Sequence, residues 1–253
     1  MVIDGDTHIS PVGEGFSVQE QLQAMQRSGV DRAVVWLSPH HYVGEEIADH
    51  NRYIYESARA HPGRLLPFGW TDPSLGVESA KKMVRLCTEV YGFHGVKMNG
   101  AQNNYFIDDP ELGLPVAEEI AKTGRMLALH IGPDAYERTH PWRAMHIAKR
   151  FPETKILMVH MGMADEDMNR AVIEIAAACP NMVLIASGTT DRAALEAIRT
   201  LGAARVCFGS DHPFRKMHVA RAMFEASLEE ELSAEEMQAF MGGNLGRLFG
   251  LEE

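Results

Sequence analysis

Residues 126–160 read MLALHIGPDAYERTHPWRAMHIAKRFPETKILMVH. Two short apolar runs, Met126–His130 and Lys155–His160, each end in histidine and flank a longer stretch with helical spacing. That is the pattern of a strand, a crossover helix and a second, parallel strand. The same alternation continues in both directions. Val2–Asp4, Ala33–Leu37, Arg64–Trp70 and Gly95–Met98 precede the pair, and Met182–Ala186 and Val206–Ser210 follow it. Eight candidate strands result.

Helical segments are expected between them. Ser17 and Glu20 form a capping-box pattern, Gly29 stands where a helix stop belongs, and Ser233 with Glu236 repeats the box before Met237, Phe240 and Met241. Neither a linker nor a low-complexity tract divides the chain. The expected fold is therefore α/β, a single (β/α)8 TIM barrel over residues 1–253. An open doubly wound sheet shares the alternation and is the competing architecture.

Composition limits the partners. A formal net charge of −11 disfavours nucleic acid and anionic membranes, so a small-molecule substrate is expected. Cys87, Cys179 and Cys207 lie far apart in apolar runs and are read as buried free thiols. With neither an export signal nor an apolar run of membrane length, the expected location is the cytoplasm. A homodimer is the general expectation for such an enzyme, though no residue specifies an interface.

In a parallel barrel the strand C-termini share one face. Here strand one ends in Asp6-Thr7-His8, strand five in His130, strand six in His160 and strand eight in Ser210-Asp211, with Lys97 on strand four. A lone histidine at a strand end is usually a hydrogen-bonded core residue, and a lone aspartate a turn cap. Independent packing needs, however, do not require such residues at equivalent ends of several strands. Asp6 and His8, two apart on an extended chain, share a side and can reach one ion. Imidazole nitrogen with carboxylate oxygen suits a single Zn2+ or Mn2+.

The blocks VIDGDTHIS, GFHGVKMNG, LALHIG, ILMVHMGM, FGSDHPF and GGNLGRLFGL, in this order, resemble the amidohydrolase superfamily. Within it they are similar to the amidohydrolase-related group that includes aminocarboxymuconate-semialdehyde decarboxylase. The resemblance implies His8, His130 and Asp211 as metal ligands and His160 as an acid, base or electrostatic partner. Asp6 stands where many members have histidine and some decarboxylases have glutamate. As a ligand it hardens the site toward manganese. Lys97 is read as a substrate-carboxylate contact or a snorkelling side chain, with a carboxylated, metal-bridging lysine as the minority reading.

His212 and Arg215 are further candidates for substrate binding, and His140 and Trp142 for a lid. His40, His41, His50, His61, His146 and His218 are read as solvated loop residues, and Met161-Gly162-Met163 as apolar pocket wall. The expected chemistry is hydrolysis of an ester, lactone or amide by a metal-activated water, with Asp211 taking the proton and His160 orienting the carbonyl. The alternative is nonoxidative decarboxylation, which Asp6 favours and the compactness of the chain opposes. A third reading is a noncatalytic small-molecule-binding barrel that has lost its metal.

Overall fold

A computed structural model describes residues 1–38 and 49–251. Eight parallel strands occur in sequential order: β1 (Ile3–Ile9), β2 (Arg32–Leu37), β3 (Leu65–Trp70), β4 (Gly95–Met98), β5 (Met126–His130), β6 (Ile156–Val159), β7 (Met182–Ile185) and β8 (Val206–Cys207). The last strand returns to the first. Gly5 N–H donates to Phe208 O at 3.0 Å, Asp211 N–H to Asp6 O at 2.9 Å and His8 N–H to His212 O at 2.7 Å. These bonds close the sheet into a (β/α)8 barrel, and the open-sheet alternative is excluded.

Alternation along the strands produces two apolar layers. Val34 and Trp36, Leu66 and Phe68, Leu157 and Val159, and Val183 and Ile185 fill the interior. Residues of opposite parity, such as Val35, Val96, Leu127 and Leu184, pack outward against the helices. At the end away from the site, the helix Asn244–Phe249 plugs the barrel with Leu245 and Phe249. Its Asn244 amide donates to the carbonyls of Ala203 and Val206, so the GGNLGRLF segment is tied to β8.

The capping signals are realised. Ser17 and Glu20 cap the helix Val18–Ser28, which stops at left-handed Gly29, and Ser233 and Glu236 cap the helix Ala234–Gln238. The three cysteines are buried and free. Among the described residues, no helix is long and apolar enough to cross a membrane.

The closing seam depends on two missing side chains. A Cβ at Gly5 would sit 2.8 Å from the Phe208 carbonyl, and one at Gly209 would sit 2.7 Å from Ile185 Cγ2. Neither gap admits a methyl group without backbone movement. We expect Gly5→Ala to destabilise the protein by about 1–3 kcal/mol, measured by urea denaturation. An unchanged midpoint would show that the seam tolerates separation.

Candidate metal centre and catalytic cavity

The first strand is irregular where it matters. Its pairing with β2 shifts between Asp4 and Thr7, with Asp4 opposite Ala33 and Thr7 opposite Val35, so three steps on one strand match two on the other. Such a bulge re-aims the side chains beside it. Asp4 Oδ1 accepts the N–H groups of Asp6 at 3.1 Å and Ser210 at 2.9 Å, pinning β1 to the segment that carries Asp211. Burial, with help from Asp6, pushes the Asp4 carboxyl up to about 7.

Asp6, His8 and Asp211 are buried, and each offers a ligand atom within 4.8 Å of the others'. Asp6 Oδ1 accepts a 2.7 Å hydrogen bond from Trp36 Nε1 on β2. Its Oδ2 is buried without a hydrogen-bond partner, though His160 Nδ1 lies 3.3 Å away. Lys97 Nζ lies 3.6 Å from Asp6 Oδ1, 3.5 Å from His8 Nε2 and 4.3 Å from the centre of the Trp36 ring. Lys97 is thus a buried side chain shared by the same ligand atoms.

These contacts divide the titrations. Burial opposes ionisation of Asp6, but Lys97, His160 and His8 outweigh it and hold the carboxyl well below its usual range. Burial and then Lys97 lower His8 to about 4, so it is neutral at physiological pH. Asp211 goes the other way, raised to about 8 by burial and by the charge of Asp6. The set is thus one firm carboxylate, one neutral imidazole and one carboxyl that holds its proton.

The two remaining strand-end histidines stand beside this group. His130 Nε2 is gripped by both oxygens of Asp134, at 2.9 and 3.1 Å, and lies outside the three-residue cluster. His160 follows β6 with φ 76°, and Met161, Gly162 and Met163 also take positive φ. This left-handed run, costly for residues with a side chain, swings the chain off the strand and sets the imidazole against the cavity. Asn169 holds the turn by donating to the carbonyls of Met161 and Met163. Ser187 Oγ lies 3.0 Å from His160 Nδ1.

A cavity of about 850 Å³ opens over the cluster, walled by His8, His130, His160, Asp211, Phe214 and Arg215 among others. Asn99 and Gln102 border it from the turn after β4, and Asp134 from the turn after β5. Met163 lines it too, whereas Met161 is fully buried in the outer apolar layer. The pocket-wall reading of this pair therefore holds for one methionine only.

His212 does not line the cavity; its backbone carbonyl serves the barrel seam. His140 also lies off the wall, where its Nδ1 accepts the Trp142 N–H and caps the helix Pro141–Arg150. His50 is half-buried and edge-on to Trp70, so it is not a solvated loop residue. His61 is half-buried, while His146 and His218 are exposed on helices rather than loops. His40 and His41 lie outside the described residues.

Trp36, Asp4, Asp134 and Ser187 were not singled out from sequence. Only Ser187, directly after the β7 run, sits at the type of position that drew attention to the histidines.

Residues 3–251 match the family described as Amidohydrolase. The chain belongs to the amidohydrolase family. No sequence relative among curated proteins matches this chain. Its fold is that of 5-carboxyvanillate decarboxylase from Sphingomonas paucimobilis, with TM-score 0.76, 18% identity and coverage of 98% of each chain. The dihydroxybenzoic acid decarboxylase of Polaromonas sp. JS666, solved with manganese and 2-nitroresorcinol, gives TM-score 0.74 at 19% identity, covering 100% of this chain and 97% of that one. An amidohydrolase of Burkholderia multivorans with bound zinc gives 0.71 at 18%, covering 99% of each.

Proposed function

We propose that this chain is a metal-dependent, nonoxidative decarboxylase of a small carboxylic acid. The observation that carries the reading is the inward-facing Asp6, a buried carboxylate completing an Asp6–His8–Asp211 donor set beneath the cavity. The donors fit a divalent cation: two carboxylates and a neutral imidazole suit Mn2+ or Zn2+, and the buried, unbonded Asp6 Oδ2 is an acceptor that a cation would satisfy. His130 is a fourth candidate once Asp134 releases its Nε2. Structural likeness to decarboxylases, one solved with manganese, supports the same reading. The match spans 97–98% of those chains, so compactness no longer weighs against it.

A bound cation would supply Lewis-acid charge to hold the substrate's carboxylate and a neighbouring oxygen. The protein's own residues do the rest. Arg215 on the cavity wall attracts the acid, while Lys97 and Trp36 keep Asp6 ionised and oriented. Asp211, ionised when a cation is bound, takes a proton from water and passes it to the carbon that loses carbon dioxide. The C–C bond breaks, its electron pair stays on that carbon, the proton takes its place, and hydroxide is left from the water. His160, set by Ser187 and Asn169, orients the reacting group.

Hydrolysis uses the same cavity with Asp211 as proton acceptor. The two chemistries release different products. Manganese-loaded protein incubated with hydroxybenzoates, esters and lactones is expected to release carbon dioxide from an acid. Release of alcohol or acid from an ester, with no carbon dioxide from any acid, would overturn decarboxylation in favour of hydrolysis. Protein purified without chelator that holds no metal and turns over nothing would favour the binding barrel.

A further inference from the structure

Beside the catalytic cavity runs a second depression of about 330 Å³, walled by Val219, Ala220, Met223 and Phe224 of the helix Met217–Leu228. Gly188 and Arg215 form the end nearest the cavity. The partition there is thin. A Cβ placed on Gly188 would lie 3.5 Å from Arg215 Nε and 3.6 Å from Met163 Cγ, and both Arg215 and Met163 also line the catalytic cavity.

Among the described residues, the charge on this partition has no protein anion in direct contact. Arg215 is exposed, and among the described residues its guanidinium makes neither a hydrogen bond nor an ion pair. Lys216 follows it at the groove's mouth. A planar donor fork with no protein acceptor suits a carboxylate. The rest of the groove is apolar, and its side chains still face water: Val219 is 55% and Met223 36% exposed. At this volume, near the lower end for ligand pockets, it fits a substituent better than a whole substrate.

We propose that this groove is a tail subsite, which takes the apolar substituent of a carboxylic acid whose carboxylate lies against Arg215. The substrate class is then an amphipathic acid, such as an alkyl- or aryl-substituted aromatic carboxylate, spanning the two cavities. The proposal rests on reading the substrate as an acid, but it concerns binding and not the bond that breaks.

Isothermal titration of the metal-loaded full chain with benzoate, 4-butylbenzoate and 4-butylbenzamide tests it. We expect 4-butylbenzoate to bind at least about tenfold more tightly than benzoate, from burial of the butyl group. Met223→Trp, which fills the groove, and Val219→Gln, which makes it polar, should each erase that gain. Both positions are solvent-facing, so the fold is expected to survive, as a melting curve would verify. Arg215→Met should weaken both acids by about tenfold and leave the amide unchanged.

Equal binding of the two acids, or a butyl gain that persists in both groove variants, would overturn the subsite. So would a change of oligomeric state in Val219→Gln, which would mark the groove as covered by a second copy of the chain. A butyl gain without carbon dioxide release from any acid would retain the subsite and sink the decarboxylase. Carbon dioxide release from benzoates without the gain would do the reverse.

Discussion

Asp211→Asn is expected to lower kcat by about a thousandfold or more, because the amide neither delivers nor accepts a proton at the reacting atom. Asn keeps the size of the side chain, and the backbone of residue 211 still donates to Asp6 O and accepts from Arg215, so the seam should form normally. Asn also tolerates the left-handed backbone that residue 211 adopts at φ 62°. The variant's melting temperature should therefore stay close to that of the wild type. Metal content must be measured alongside the rate, since Asp211 belongs to the donor cluster. Turnover that survives with normal metal content would remove Asp211 from the chemistry in either proposed reaction.

The second large effect concerns metal uptake and its pH dependence. In the metal-free protein, Asp211 holds a proton up to about pH 8, whereas His8, lowered to about 4, has none to give near neutrality, and Asp6 is already ionised. Binding a cation thus displaces a proton from Asp211. Apparent affinity for Mn2+ should rise by about tenfold per pH unit from 6 toward 8 and then level off. The folded-state pKa of Asp211 lies above its unfolded value, so its contribution to stability is complete at low pH and lost as pH rises through about 8. Asp4, raised to about 7, acts in the same direction.

Chelated protein should therefore melt at a lower temperature at pH 8 than at pH 6, and manganese should restore most of the loss. Calorimetric titration in buffers of different ionisation enthalpy counts the released proton directly. Affinity flat across this range would show that Asp211 does not enter the donor set.

The features legible in the sequence were those with a period or a position. Six of the apolar runs became strands close to their expected limits, because period-two alternation and bounding turns are local properties, while the first, read as Val2–Asp4, runs on to Ile9. The eighth run, Val206–Ser210, pairs with β7 only through Val206 and Cys207. From Phe208 onward its hydrogen bonds go to Phe240 and across the seam to β1, a choice set by distant residues. The left-handed turn after β6 likewise depends on Asn169, nine residues beyond His160.

Strand-end position was enough to pick out Asp6, His8 and Asp211. It could not reveal Trp36, since a tryptophan in the run AVVWL reads as core, and it is core: only its Nε1 reaches Asp6. Asp134 was hidden for the opposite reason. It sits in a loop, where an aspartate after proline is an ordinary turn residue, and its grip on His130 exists only because the turn after β5 folds back over the strand end.

The barrel seam has a bearing on biosynthesis. The bond between Asp4 and the Ser210 amide joins positions 206 residues apart, and Asp6 and Asp211 meet across the same join. Contacts this distant in sequence are the slowest to form and carry the largest loop-closure cost. A nascent chain still lacking its eighth strand has Asp6 and His8 but not Asp211, so it should capture metal weakly. Acquisition of the ion then becomes a late event in maturation, reserved for chains whose barrel has closed.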